Sequence, residues 1–223
     1  DLSFAIDGPE RVAVTGPNGS GKTTLLSIIT GALQPWSGDV RVLVPIALLD
    51  QRVSLLDPAL SIRDNFLRLN PDSDENACRA ALARFMFRAD AALQITGTLS
   101  GGQLLRAGLA CVIGSATPPQ LLILDEPTNH LDLPSREQLE KTLSEFKGTI
   151  ITVSHDYYFL NKLCDKLLIF ENQRIKRVEM KPEEYFTKNN AEPTNTKEAL
   201  MVIENRIATI LGELSLIDQK NPK

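Results

Sequence analysis

The sequence has no basic excess: 24 Lys and Arg stand against 28 Asp and Glu, a formal net charge of −4. Composition alone therefore gives no sign of a nucleic-acid coat or a membrane-surface binder. Cysteine is scarce. Cys78, Cys111 and Cys164 are odd in number, far apart and without metal-ligand spacing, so they read as reduced, partly buried thiols in a cytosolic protein. No apolar run approaches the length of a membrane span. The opening DLSFAIDGPE has neither the basic start nor the apolar core of a signal sequence. There is no internal repeat. An initiating Met is lacking and DQKNPK ends abruptly, so a piece of a longer chain is expected. What remains is an ordinary globular composition, 43% hydrophobic and 23% charged over 223 residues. That suffices for one domain with a sizeable core and a small subdomain.

Strand and helix patterns alternate. RVAVTG (11–16) reads as an apolar strand entering a Gly-rich turn, and 22–33 has helical apolar spacing. The β-branched stretch 38–51 reads as two short strands split by Pro45. Residues 75–93 read as helix, and another helix is expected from just after Ser100 to about Ser115. LLILD (121–125) and TIITVS (149–154) read as buried strands. Between them, 134–146 reads as a helix with Pro134 in its first turn. Residues 165–180 read as two strands around ENQR. The alternation predicts an α/β fold, a mainly parallel sheet with helices on both faces. Near the end, Leu200, Ile203, Ile207, Ile210, Leu214 and Ile217 form one apolar stripe over 197–217. That stripe suits either packing on its own domain or a docking seam.

The chemistry starts at Gly16, Pro17, Asn18, Gly19, Ser20, Gly21, Lys22 and Thr23, followed by Thr24. The spacing fits G-x-x-x-x-G-K-[ST], between a strand and a helix as a phosphate-binding loop requires. The glycines let backbone N–H groups turn inward, and the helix start adds partial positive charge. Lys22 is expected to reach the β- and γ-phosphates, and the Thr23 hydroxyl to ligate Mg²⁺. Asp125, ending a buried strand, suits Mg²⁺ binding. Glu126 then points elsewhere and can polarise an attacking water. Ser100, Gly101, Gly102 and Gln103 begin a helix and offer a second anion cradle, best explained by a nucleotide held on another domain.

GPNGSGKTT, LSGGQ, LLILDEP and SHD, in this order, resemble the ATP-binding-cassette ATPases through about residue 190. The resemblance implies a P-loop cassette: a mainly parallel core sheet, a small antiparallel β subdomain (about 1–10 and 38–50) and a helical subdomain (about 60–116). Residues 191–223 would be an extension helix, the start of a linker or tail. It implies Mg²⁺-dependent ATP hydrolysis between two cassettes paired head to tail, on one full-length chain or in a homodimer. Each ATP lies between one phosphate loop and the other cassette's LSGGQ. Gln51 matches the glutamine that binds Mg²⁺ and water, and His155 the histidine that contacts the γ-phosphate. Leu131 and Asp132 match the loop that crosses the dimer interface. DEPTNHLD, with Asn129 and His130, resembles the F subfamily rather than transporter cassettes, and SHDYYFLNKLCDKLLIFENQRI is similar to it too. The short gap between Gln51 and Leu99 resembles its second cassette. This implies a cytoplasmic protein without a transmembrane segment, acting on the ribosome and its RNA as a translation factor or in antibiotic resistance. The alternative is the nucleotide-binding subunit of a membrane transporter. The family's first strand, with its adenine-stacking aromatic, would precede Asp1. Trp36 reads as a packing or surface residue.

Overall fold

The computed structural model describes residues 3–129, 131–171 and 174–188. The strands are β1 (Arg11–Thr15), β2 (Ile46–Leu49), β3 (Leu121–Asp125), β4 (Thr149–Val153), β5 (Lys166–Glu171) and β6 (Arg174–Val178). They form a 6-stranded sheet in the order β2-β3-β4-β1-β5-β6. Every pairing is parallel except β5 with β6. The interior strands carry apolar residues on both faces because both are covered. Val12, Val14, Ile123, Ile151 and Leu168 pack on one face with Leu25 and Leu26 of α1 (Lys22–Ile29). Ala13, Leu122, Leu124, Ile150 and Leu167 face the other way, the period of two expected of a strand.

That second face carries α4 (Gly101–Ile113), α5 (Leu133–Glu145) and α6 (Tyr157–Leu163). Outside it, α2 (Ile62–Leu69) and α3 (Glu75–Arg84) pack on α4 through Phe66, Cys78 and Leu82, all fully buried. A final short helix, α7 (Pro182–Lys188), rests on α6 through an edge-to-face contact of Tyr157 and Phe186. Side-chain caps set the helix starts. Ser61, Asp74, Ser100, Asp132 and Asp156 each accept a backbone N–H from the first turn that follows.

Several boundaries differ from the sequence pattern. α1 stops at Ile29, and Gly31 takes a left-handed φ of 77°. The helix expected over 75–93 ends at Arg84. Met86 and Ala89 adopt φ of 67° and 45°, and a separate 3₁₀ turn covers Ala89–Leu93. The antiparallel pair expected of a separate β subdomain does not form among the described residues. No strand forms at 3–10 or 38–45; the strand after Pro45 joins the main sheet, parallel to β3. Val40, Val42, Leu43 and Val44 stay exposed with no pairing segment among the described residues, and the antiparallel pair is β5–β6, the two strands read around ENQR. Trp36 is fully exposed, a surface residue. The apolar stripe at 197–217 and His130 lie outside the described residues.

Candidate active site

The register of the sheet gathers the site. β1 lies between β4 and β5, and Asp125 of β3 pairs with Val153 of β4. Leu49 of β2 pairs with Leu124 of β3. The loops that follow β1, β2, β3 and β4 therefore open at one edge, the carboxyl ends of the strands. In open α/β sheets ligands bind in that crevice.

The loop after β1 is shaped by close approach. A Cβ on Gly16 would sit 2.6 Å from Cβ of Phe170 and 2.8 Å from its carbonyl oxygen, so only glycine fits. Gly21, at φ 102°, is the N-cap of α1 in a conformation that side chains resist. Lys22 is buried in the first turn of α1. Its Nζ donates to the carbonyl oxygens of Gly16 at 2.7 Å and Pro17 at 3.0 Å, so the ammonium is held inside the loop. Ser20 Oγ is buried without a hydrogen-bond partner among the described residues. A helix start, a lysine and a buried hydroxyl in search of a partner together fit an anion such as a phosphate.

The carboxylates come from the end of β3, two strands from β1 in the sheet. Asp125 is half-buried, and its carboxyl is pushed above the usual range by burial and then by the nearby Asp50 carboxylate, with Lys22 pulling the other way. Asp50 is fixed by Ser54, which donates its N–H at 2.7 Å and its hydroxyl at 2.6 Å. Glu126 leaves the strand at a φ of 51°, rare for a residue with a side chain. The turn is tied by its N–H to the carbonyl oxygen of Val153 at 2.8 Å. Its side chain is buried beside His155. The His155 N–H donates to Oε2 at 3.3 Å, and Nε2 stands 3.3 Å from Oε1. Burial is the main force that raises the Glu126 carboxyl, opposed by His155. Thr128 and Ser154 join the two loops through their hydroxyls at 3.2 Å.

The donor set suits Mg²⁺. The Thr23 hydroxyl, the Asp125 carboxylate and the Gln51 amide, in the exposed turn after β2, are all hard oxygen ligands. Among the described residues no cluster of three or more His, Cys, Asp or Glu gathers for a metal.

The structure thus brings Lys22, Asp125, Glu126 and His155 together, with Gly19, Ser20 and Gly21 in the loop, and places Gln51 in the exposed turn after β2. Ser100, Gly101, Gly102 and Gln103 stand at the start of α4. Ser100 and Gln103 close a reciprocal capping box, at 3.3 Å and 3.0 Å, on the start of α4. That start packs on α5: a Cβ on Gly102 would come 2.8 Å from Ser135 Oγ. Sequence reading missed Asp50, whose approach to Asp125 depends on the β2–β3 pairing. It also missed Phe170, whose close fit to Gly16 has no sequence signal.

A phosphate loop with a buried lysine, followed by acids at another strand end, defines a P-loop nucleotide-binding α/β domain. The ABC transporter family model matches residues 1–129, more than half of the chain, which therefore belongs to the ATP-binding-cassette ATPase family. ABC transporter F family member 5 of Arabidopsis thaliana is 36% identical over 174 residues, 76% of this chain and 25% of that protein. Ribosome protection protein VmlR of Bacillus subtilis (strain 168) is 36% identical over 219 residues, 97% of this chain and 38% of that protein. The chain thus spans well under half the length of the curated relatives it matches. A solved ATP-binding cassette, described as a dimeric post-hydrolysis state bound to ADP and Pi, superposes with a TM-score of 0.67. It covers 79% of this chain and 88% of that one at 22% identity, a likeness of fold. Among the described residues no helix is long and apolar enough to cross a membrane.

Proposed function

We propose that this cassette hydrolyses ATP to ADP and phosphate with Mg²⁺, paired with a second cassette, within a cytoplasmic F-subfamily protein that acts on the ribosome. In this reading residues 1–190 are the cassette and 191–223 an extension. The observation that carries the chemistry is the buried Glu126 carboxylate held 3.3 Å from His155 at the edge that Lys22 also occupies. Gly16 to Thr24 receive the phosphates, and Lys22 offsets their charge. Thr23, Asp125 and Gln51 would hold Mg²⁺, which would supply positive charge beside the phosphate oxygens. Glu126 accepts a proton from the water that adds to the γ-phosphorus, while ADP leaves. His155 keeps that carboxylate aimed and can meet γ-phosphate charge as it develops.

The second cassette is inferred from Ser100 to Gln103, a helix start other than the one at the cassette's own phosphate loop. Ser100→Arg in the full-length protein is expected to leave ATP affinity within about twofold of wild type, because the altered residue contacts only the partner's nucleotide. The same change should remove ATP-driven pairing, read by light scattering. Unchanged pairing would refute the cross-cassette role.

The ribosomal role is supported by DEPTNHLD and by VmlR, which is named a ribosome protection protein and whose match runs through nearly the whole chain. The test is to pellet ribosomes through a sucrose cushion with full-length protein carrying Glu126→Gln and the equivalent change in its other cassette. ATP-dependent co-sedimentation is expected. ATP-bound, paired protein that stays in the supernatant would overturn the ribosomal reading.

A further inference from the structure

Arg136 stands in the first turns of α5, the helix that Asp132 caps. Its side chain is only 19% exposed, and Nη2 lies 2.6 Å from Oδ1 of Asp156, itself 8% exposed. The guanidinium also meets Glu140 Oε1 at 3.4 Å and lies 5.1 Å from the Tyr158 ring centroid. Asp156 is the residue after His155. Its Oδ1 accepts the Phe159 N–H at 3.0 Å and so caps α6, and its own N–H donates to Ser154 Oγ at 3.1 Å. Both neighbours of His155 are therefore tied down, Ser154 to Thr128 and Asp156 to Arg136.

Two ties join α5 to α6. Lys162 of α6 reaches Glu140 of α5 at 2.6 Å, and α5 and α6 pack directly against one another. The Arg136 contact goes to Asp156, which both caps α6 and directly follows His155. An ion pair this far from solvent is weakly screened and geometrically demanding, so it fixes position more than it adds stability. The preceding residue on the same helical turn meets α4, where Ser135 Oγ blocks any side chain on Gly102.

We propose that Arg136 is a positioning residue: through Asp156 it holds His155 against Glu126, and through its helix it links the start of α4 to the hydrolytic carboxylate. The inference rests on the assignment of Glu126 and His155 given above. The start of α4, which serves the partner's nucleotide, thereby has a physical path to the cassette's own water-activating acid.

The test is a double-mutant cycle on the full-length protein, with ATPase measured for Arg136→Ala, His155→Ala and the pair. Arg136→Ala is expected to lower kcat about tenfold with KM for ATP within about twofold, the pattern of an interaction that matters in the transition state. In the His155→Ala background it should cost less than about twofold more, because a residue that acts through His155 has nothing left to aim. An equal loss in both backgrounds, a rise in KM alone, or no loss overturns the proposal. Wild-type kcat in His155→Ala alone instead overturns the site assignment, and this inference with it. If Arg136→Ala does not fold, Asp156→Asn takes its place, since it keeps an oxygen for the Phe159 N–H and removes the charge that holds Arg136. The same expectations and the same overturning results apply.

Discussion

Glu126→Gln is expected to lower kcat for ATP by about 10²–10³, the range that loss of a positioned general base produces, while ATP affinity stays near wild type. The substitution changes little else. Gln has the same length, keeps an oxygen to accept the His155 N–H now 3.3 Å from Oε2, and leaves the φ of 51° as it is. What is lost is the carboxylate that can take a proton. ATP should then bind and stay bound, so the paired form accumulates. Phosphate release measures the first effect and light scattering with ATP the second. A pH signature accompanies them. Burial holds the Glu126 carboxyl above the usual carboxylate range. The reaction needs the ionised form, so the wild-type rate should rise with pH through that raised value and fall below it. The acid limb should vanish in the residual activity of Glu126→Gln. Near-normal turnover in the variant would remove Glu126 from the role.

How legible this was depends on how local each feature is. The Gly16–Lys22 spacing, the apolar run into Asp125 and Ser100 just before its helix are short-range patterns, and each proved to be a structural element where it was read; the Asp132 cap of α5 was not read. A strand period reports that a segment is half or fully buried, not which strand lies beside it. Nothing near Asp50 announces that β2 pairs with a strand beginning at Leu121 and so sets two carboxylates side by side. The same limit explains 38–45. Its β-branched residues have strand propensity, but in the described structure they lack a partner, and propensity alone forms no strand. The helix expected over 75–93 failed for a local reason. Its composition favours helix, yet Phe85 and Phe87 both enter the core, which forces the turn at Met86 and its positive φ. Arg136 has no local signal either, because its partner Asp156 lies beyond β4 in the chain.

Lys22→Ala is expected to weaken ATP binding by about 100-fold, with turnover lost at any practical ATP concentration. A charge-assisted hydrogen bond to a phosphate is worth about 1.5–3 kcal/mol, and each 1.4 kcal/mol is about tenfold in affinity. The upper part of that range applies because Lys22 is buried, where screening is weak. A second contribution comes from the loop. Lys22 Nζ bonds the carbonyl oxygens of Gly16 and Pro17, so the side chain holds the backbone in the curve that turns its N–H groups inward. Removing it lets the loop relax, and ATP must then reorder it at its own expense. Arginine should not restore binding. A planar guanidinium cannot fit where a compact ammonium sits 2.7 Å and 3.0 Å from two carbonyl oxygens. Calorimetry with ATP on both variants measures the loss. Folded Lys22→Ala protein that binds ATP as wild type does would show that the phosphates do not lie in this loop. Glu126 and His155 would then have no reacting phosphorus to face.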